Sequence, residues 1–182
     1  MALTAAQLRK ALEVLDEAEL RELIEALYKA STDNKRFLTS RLDGDNSELL
    51  EVYVTELGRC FNPKKGELRV AAARKALQNY LRVASPTEAL QAKIRYVGAA
   101  LEYWHHRPCW SETHDTTLGN IFKDITQTAL DYPDQQHLLD SVHQLGRDFI
   151  QQEQKFGYFD WHVQIYRDFV GAQSRSTGHH SV

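Results

Sequence analysis

Apolar side chains recur three and four positions apart along almost the whole chain, the period of helices that bury one face, and no segment shows convincing strand alternation. Thr4 followed by Gln7, and Asp16 followed by Glu19, have the spacing of capping boxes, which predicts helices starting near residues 5 and 17. In the second, Leu20, Leu23, Ile24 and Leu27 form a stripe predicted to pack, while Glu17 with Arg21 and Glu25 with Lys29 are i,i+4 ion pairs on the solvated side. Asp33 is placed to cap a short helix carrying Phe37, Leu38 and Leu42, and the turn formers DGDNS at 43–47 predict a loop.

A helix from about Ser47 to Phe61 carries Leu50, Tyr53, Val54 and Leu57. It stops at Asn62-Pro63, because the residue before a proline is pushed out of the α region, and Gly66 closes the loop that follows. From Leu68 to Ala84 the stripe is Val70, Ala73, Leu77, Leu81 and Ala84, which places Leu81 in the core. Ser85-Pro86-Thr87-Glu88 then combines a capping serine, proline at the first helical position and glutamate at the third. The helix it opens carries Leu90, Ile94, Val97, Leu101 and Trp104 and ends before Pro108.

Residues 107–116, RPCWSETHDT, read as a loop. Helical period resumes at Leu118, Ile121, Phe122 and Ile125 up to Tyr132-Pro133, and again at Leu138, Val142, Leu145 and Phe149. Gly157 separates a last helix with Trp161, Ile165 and Phe169, and residues 174–182 are expected to fray. The class is therefore all-α: eight to nine amphipathic helices as stacked antiparallel hairpins, either a short α-solenoid-like array or an irregular helical bundle, in one domain over 1–173. No strict internal repeat supports a solenoid of fixed period.

The opening LRKALEVLDEAELRELIEALYKAS with NKRFLTSRL, and later FNPKKGELRVAAARKALQNY, resemble the start of small bacterial all-helical families of undefined function. The resemblance covers roughly the first 80 residues and implies an all-helical fold. It transfers no functional residue, since the shared pattern is one of leucines and charges.

Composition agrees with a globular chain. The 182 residues are 42 % hydrophobic and 26 % charged, which excludes disordered and fibrous classes, and 9 Gly with 4 Pro leave little punctuation for a many-stranded sheet. No run approaches the ~18 apolar residues of a membrane span, and MALTAAQLRK lacks the apolar centre of a signal peptide, so a soluble cytoplasmic protein without membrane contact is expected. Cys60 and Cys109 are too few for a disulfide scaffold and are expected to be reduced.

The formal charge of −3 conceals an acidic, basic, acidic order along the chain. Residues 1–58 and 108–182 carry an excess of Asp and Glu, whereas residues 59–107 hold ten Lys and Arg against three Glu. Within the middle segment Arg59, Lys64, Lys65, Arg69, Arg74, Lys75 and Arg82 form a candidate basic surface for phosphates or an acidic partner. The helical wheel distributes these cations around the helix rather than along one stripe, so contacts with neighbouring acidic helices are the competing reading.

His105, Cys109 and His114, with Glu112 or Asp115 in reserve, are a candidate open zinc site, against the alternative of an ordinary polar loop. Glu102-x-x-His105 has the spacing used by di-metal bundles but lacks a facing second copy. Trp110, in a loop beside Pro108, is a candidate anchor for a partner. Nucleophile-elbow, phosphate-loop, zinc-protease and dinucleotide fingerprints do not occur, so no cofactor is expected. The expectation is a non-enzymatic helical interaction protein that binds another macromolecule, a protein first of all, through a concave or basic surface. The alternatives are a nucleic-acid binder using residues 59–82 and a metal-dependent enzyme or metal-binding protein using 102–115.

Overall fold

The helix starts follow local capping chemistry. In the computed structural model, which describes residues 3–62, 64, 67–108 and 111–177, Thr4 and Gln7 close a capping box on α1 (Ala5–Leu12), and Asp16 and Glu19 close one on α2 (Glu17–Ala30). Ser31, not Asp33, caps α3 (Thr32–Asp43), its hydroxyl accepting from the Asn34 amide, and Gly44 ends that helix in the left-handed region at φ 72°. The further helices are α4 (Ser47–Cys60), α5 (Val70–Leu81), α6 (Pro86–His106), α7 (Glu112–Ala129), α8 (Gln136–Phe156) and α9 (Asp160–Thr177). The class is all-α, with nine helices among the described residues. The segment expected as a plain loop after α4 contains a two-residue antiparallel ladder, β1 (Phe61–Asn62) with β2 (Glu67–Leu68). Pro63, Lys65, Gly66 and residues 178–182 lie outside the described residues.

The chain divides into two compact units, residues 1–49 and 50–182. In the first, α2 packs along α3, Ser40 is buried and its hydroxyl meets Asn46, and Arg36 bridges to Glu48 at 2.8 Å. Both predicted ion pairs of α2 are formed, Arg21–Glu17 at 2.6 Å and Lys29–Glu25 at 3.3 Å. The predicted burial is not. No residue of α1 or α2 is buried: of the predicted stripe Leu20 is half-buried while Leu23 is 37 %, Ile24 47 % and Leu27 47 % exposed, with Tyr28 beside them 39 % exposed. The physical reason lies in α3, which offers α2 few large apolar side chains, Phe37 and Leu42 themselves being exposed.

The second unit is a helical bundle. Hairpin α6–α7 lies beside hairpin α8–α9, with α6 against α8 and α7 against α9, and α5 packs on α6. The Tyr53 hydroxyl donates to the Ala92 carbonyl at 2.8 Å and its ring stacks on Tyr80, which joins α4, α5 and α6. Lys93 reaches Asp124 at 2.5 Å between α6 and α7. Ser85 and Glu88 form the capping box read at the start of α6.

Two faces, on α5 and α9, are rotated from the sequence expectation, and α7 starts earlier than expected. On α5 the buried residues are Ala73, Leu77 and Tyr80, because the ring of Tyr80 turns inward onto Tyr53, and Leu81 is only half-buried. α7 begins at Glu112, so His114 and Asp115 are helical rather than in a loop; acidic residues in the first turn favour that start. On α9 the inward residues include His162, Val163, Ile165 and Phe169, while Trp161 is 39 % exposed. Its ring lies over Gly119, where a Cβ would overlap it, and Gly146 similarly accommodates the ring of Tyr166.

Candidate functional sites

Of the described cations of the basic segment, Arg74 and Lys75 line one cleft and the others do not. Arg59 is exposed and pairs with Glu56 at 3.3 Å, Lys64 and Arg69 are exposed near the β ladder, and Arg82 is exposed just beyond α5. Arg74 and Lys75 differ. Both line an open cleft of about 540 Å³ between α5 and α7, and neither makes an ion pair among the described residues. Thr113 and Thr117 form the α7 side of this cleft, Gln78 lies one turn beyond Arg74, and Val70 and Ala71 supply an apolar wall.

Of the histidine and cysteine cluster, His105 and His114 are among the described residues. His105 is exposed, its Nδ1 3.2 Å from the Gln152 amide nitrogen of α8. His114 is 2 % exposed, stacked on Phe61 and edge-on to Trp104 with ring centroids 4.7 Å apart. Cys109 and Trp110 lie outside the described residues. Among the described residues no group of three or more His, Cys, Asp or Glu is arranged to hold a metal ion.

The neighbour that sequence reading missed is His162. It is fully buried on α9 against Phe149, Phe159 and Trp161, with its Nδ1 3.7 Å from the Asp115 carboxylate of α7. That separation is too long for a hydrogen bond but well within electrostatic reach. Phe159 also touches Trp104, so α6, α7, α8 and α9 all contribute to one aromatic and imidazole core. Both ring nitrogens of His114 and of His162, the Trp104 indole nitrogen and one oxygen each of Asp115 and Gln152 have no hydrogen-bond partner among the described residues.

Burial pulls both imidazoles down from 6.5 to about 4, so each is neutral at pH 7. Burial also raises the Asp115 carboxyl, and the nearby Asp160 raises it further. The arrangement holds two neutral imidazoles away from water beside a half-buried carboxylate. One signal for His162 was present in the sequence: moving the α9 stripe by one position, to 162, 165 and 169, gives helical spacing as good as 161, 165 and 169.

Comparison of the chain with protein-family models, with curated proteins and with solved structures finds no match. No helix among the described residues is long and apolar enough to cross a membrane.

Proposed function

We propose that the protein is a helical interaction module that binds a protein partner through the apolar stripe of α2. The observation that carries this reading is the exposure of Leu23, Ile24, Leu27 and Tyr28 on a helix that is capped and ion-paired yet has no buried residue. A 14-residue helix is marginal in water by itself and ordinarily gains its stability by packing its apolar face. Large apolar side chains left exposed on one helix face support an interaction surface. Glu17 and Glu19 flank the stripe on its two sides, so the complementary partner is a helix whose apolar face is flanked by Lys and Arg. The reading assigns no cofactor and no catalytic residue.

The test is photo-crosslinking in the native host, with benzoylphenylalanine replacing Leu27 in one chain and Glu22, on the opposite side of α2, in another. A discrete adduct is expected from the Leu27 probe, none from the Glu22 probe, and loss of the first when Leu23→Glu is added. Adducts that do not depend on the stripe contradict the proposal.

A further inference from the structure

We infer that the cleft between α5 and α7 binds a small phosphate monoester, with Arg74 and Lys75 as the phosphate ligands. Its volume of about 540 Å³ falls within the range of ~300–1,000 Å³ typical of small-molecule sites. The charge matches as well. Of the described cations in the basic segment only Arg74 and Lys75 line the cleft, and together they balance the near −2 charge of a phosphate monoester at neutral pH. The planar guanidinium of Arg74 suits two phosphate oxygens at once, and the Lys75 ammonium adds a point charge beside it.

The remaining lining has the composition needed for the organic part of such a ligand. Val70 and Ala71 give an apolar wall, and Gln78 and Thr113 carry side chains able to hydrogen-bond polar substituents. The Thr117 hydroxyl is committed to the Thr113 carbonyl at 2.8 Å, so it holds its own helix rather than the ligand. Thr113 stands in the first turn of α7, where Ser111 makes no side-chain cap, and the amides of that turn add favourable dipoles for an anion. Glu112 and Asp115 in the same turn oppose this, which leaves the two cations of α5 as the principal attraction.

A nucleic-acid strand is the less suitable occupant. It needs cations along a continuous track, whereas Arg59, Lys64, Arg69 and Arg82 are not part of the cleft.

Calorimetric titration of the full chain with adenosine 5′-monophosphate, inorganic phosphate, adenosine and a short single-stranded oligonucleotide tests the assignment. The monophosphate is expected to bind once per chain, inorganic phosphate more weakly, and adenosine not at all. Arg74→Gln/Lys75→Gln is expected to weaken the monophosphate about tenfold or more, because two charge-assisted contacts are lost. Both side chains are exposed, so an unchanged melting curve is expected for this variant. Absence of saturable binding by both phosphate probes at ~10 mM, a value far above useful affinity, overturns the inference. Equal binding by the double variant does the same. Salt-sensitive oligonucleotide binding tighter than the monophosphate, and lost in the variant, overturns the ligand class in favour of nucleic acid.

Discussion

Lowering the pH from 7 to 4 is expected to remove about 3 kcal/mol of stability for each of His114 and His162, a large fraction of the roughly 5–15 kcal/mol that holds a domain together. The cause is differential proton uptake. Both imidazoles fall from 6.5 in the open chain to about 4 in the bundle, chiefly by burial. Above pH 6.5 both states leave them neutral and the full stability is present. Between 6.5 and 4 the unfolded chain binds protons that the bundle refuses, so stability falls as the pH drops, by about 1.4 kcal/mol per pH unit per histidine.

Other charged groups modify the amount but not the sign. Asp115 from α7 and Asp160 on α9 itself favour a protonated His162, and Glu153 of α8, whose carboxylate accepts from the Phe159 amide, lies near the end of the same core. The raised Asp115 carboxyl takes up a proton more readily in the bundle than in the open chain, which partly offsets the histidine penalty at the acid end. Urea denaturation at several pH values between 7 and 4 measures the slope. His114→Leu/His162→Leu is expected to flatten it, and a slope unchanged by that variant would show that the two rings titrate in contact with water.

Phe149→Ala is expected to cost about 3–5 kcal/mol, the usual result of deleting a fully buried aromatic ring. Phe149 has no exposed surface and its ring meets Phe122 at 4.7 Å, His162 at 4.6 Å and Phe159 at 5.8 Å, so one side chain joins α7, α8 and α9. The cavity would lie directly against His162. Water entering it would rehydrate the imidazole and bring its pKa back toward 6.5, so the substitution should cost less at pH 5 than at pH 7. Urea midpoints of Phe149→Ala and of Phe149→Ala/His162→Leu at both pH values measure this coupling. An equal cost at both pH values would place the cavity away from His162.

The parts of this structure that were legible in the sequence are those fixed by neighbouring residues. The boxes Thr4–Gln7, Asp16–Glu19 and Ser85–Glu88 form as their spacing requires, because a cap needs only its own first turn. The stripe of α8, Leu138, Val142, Leu145 and Phe149, is buried as read. What was not legible depends on the facing element. The stripe of α2 has the same period as that of α8 but remains exposed, since periodicity states which side chains share a face and not whether another helix covers it.

The same limit explains the site. His114 and His162 are 48 positions apart, and only the packing of α7 on α9 brings them into one core. The spacing of Trp161, Ile165 and Phe169 is helical, but the buried face of α9 runs through His162, Ile165 and Phe169. Trp161 lies at the rim of that face, its ring against Gly119 of α7, where a side chain would overlap it.

Hydrogen exchange of the isolated chain, resolved to residues 17–30, tests most directly whether α2 holds its apolar stripe open for a partner. A helix without a buried face opens locally at little cost, so its amides are expected to exchange far faster than those of α6 to α9, and at the same rate in Leu23→Glu/Leu27→Glu. Protection of residues 17–30 equal to that of the bundle, lost in the double variant, would mean that the stripe is already covered within the protein and would contradict the proposed docking role.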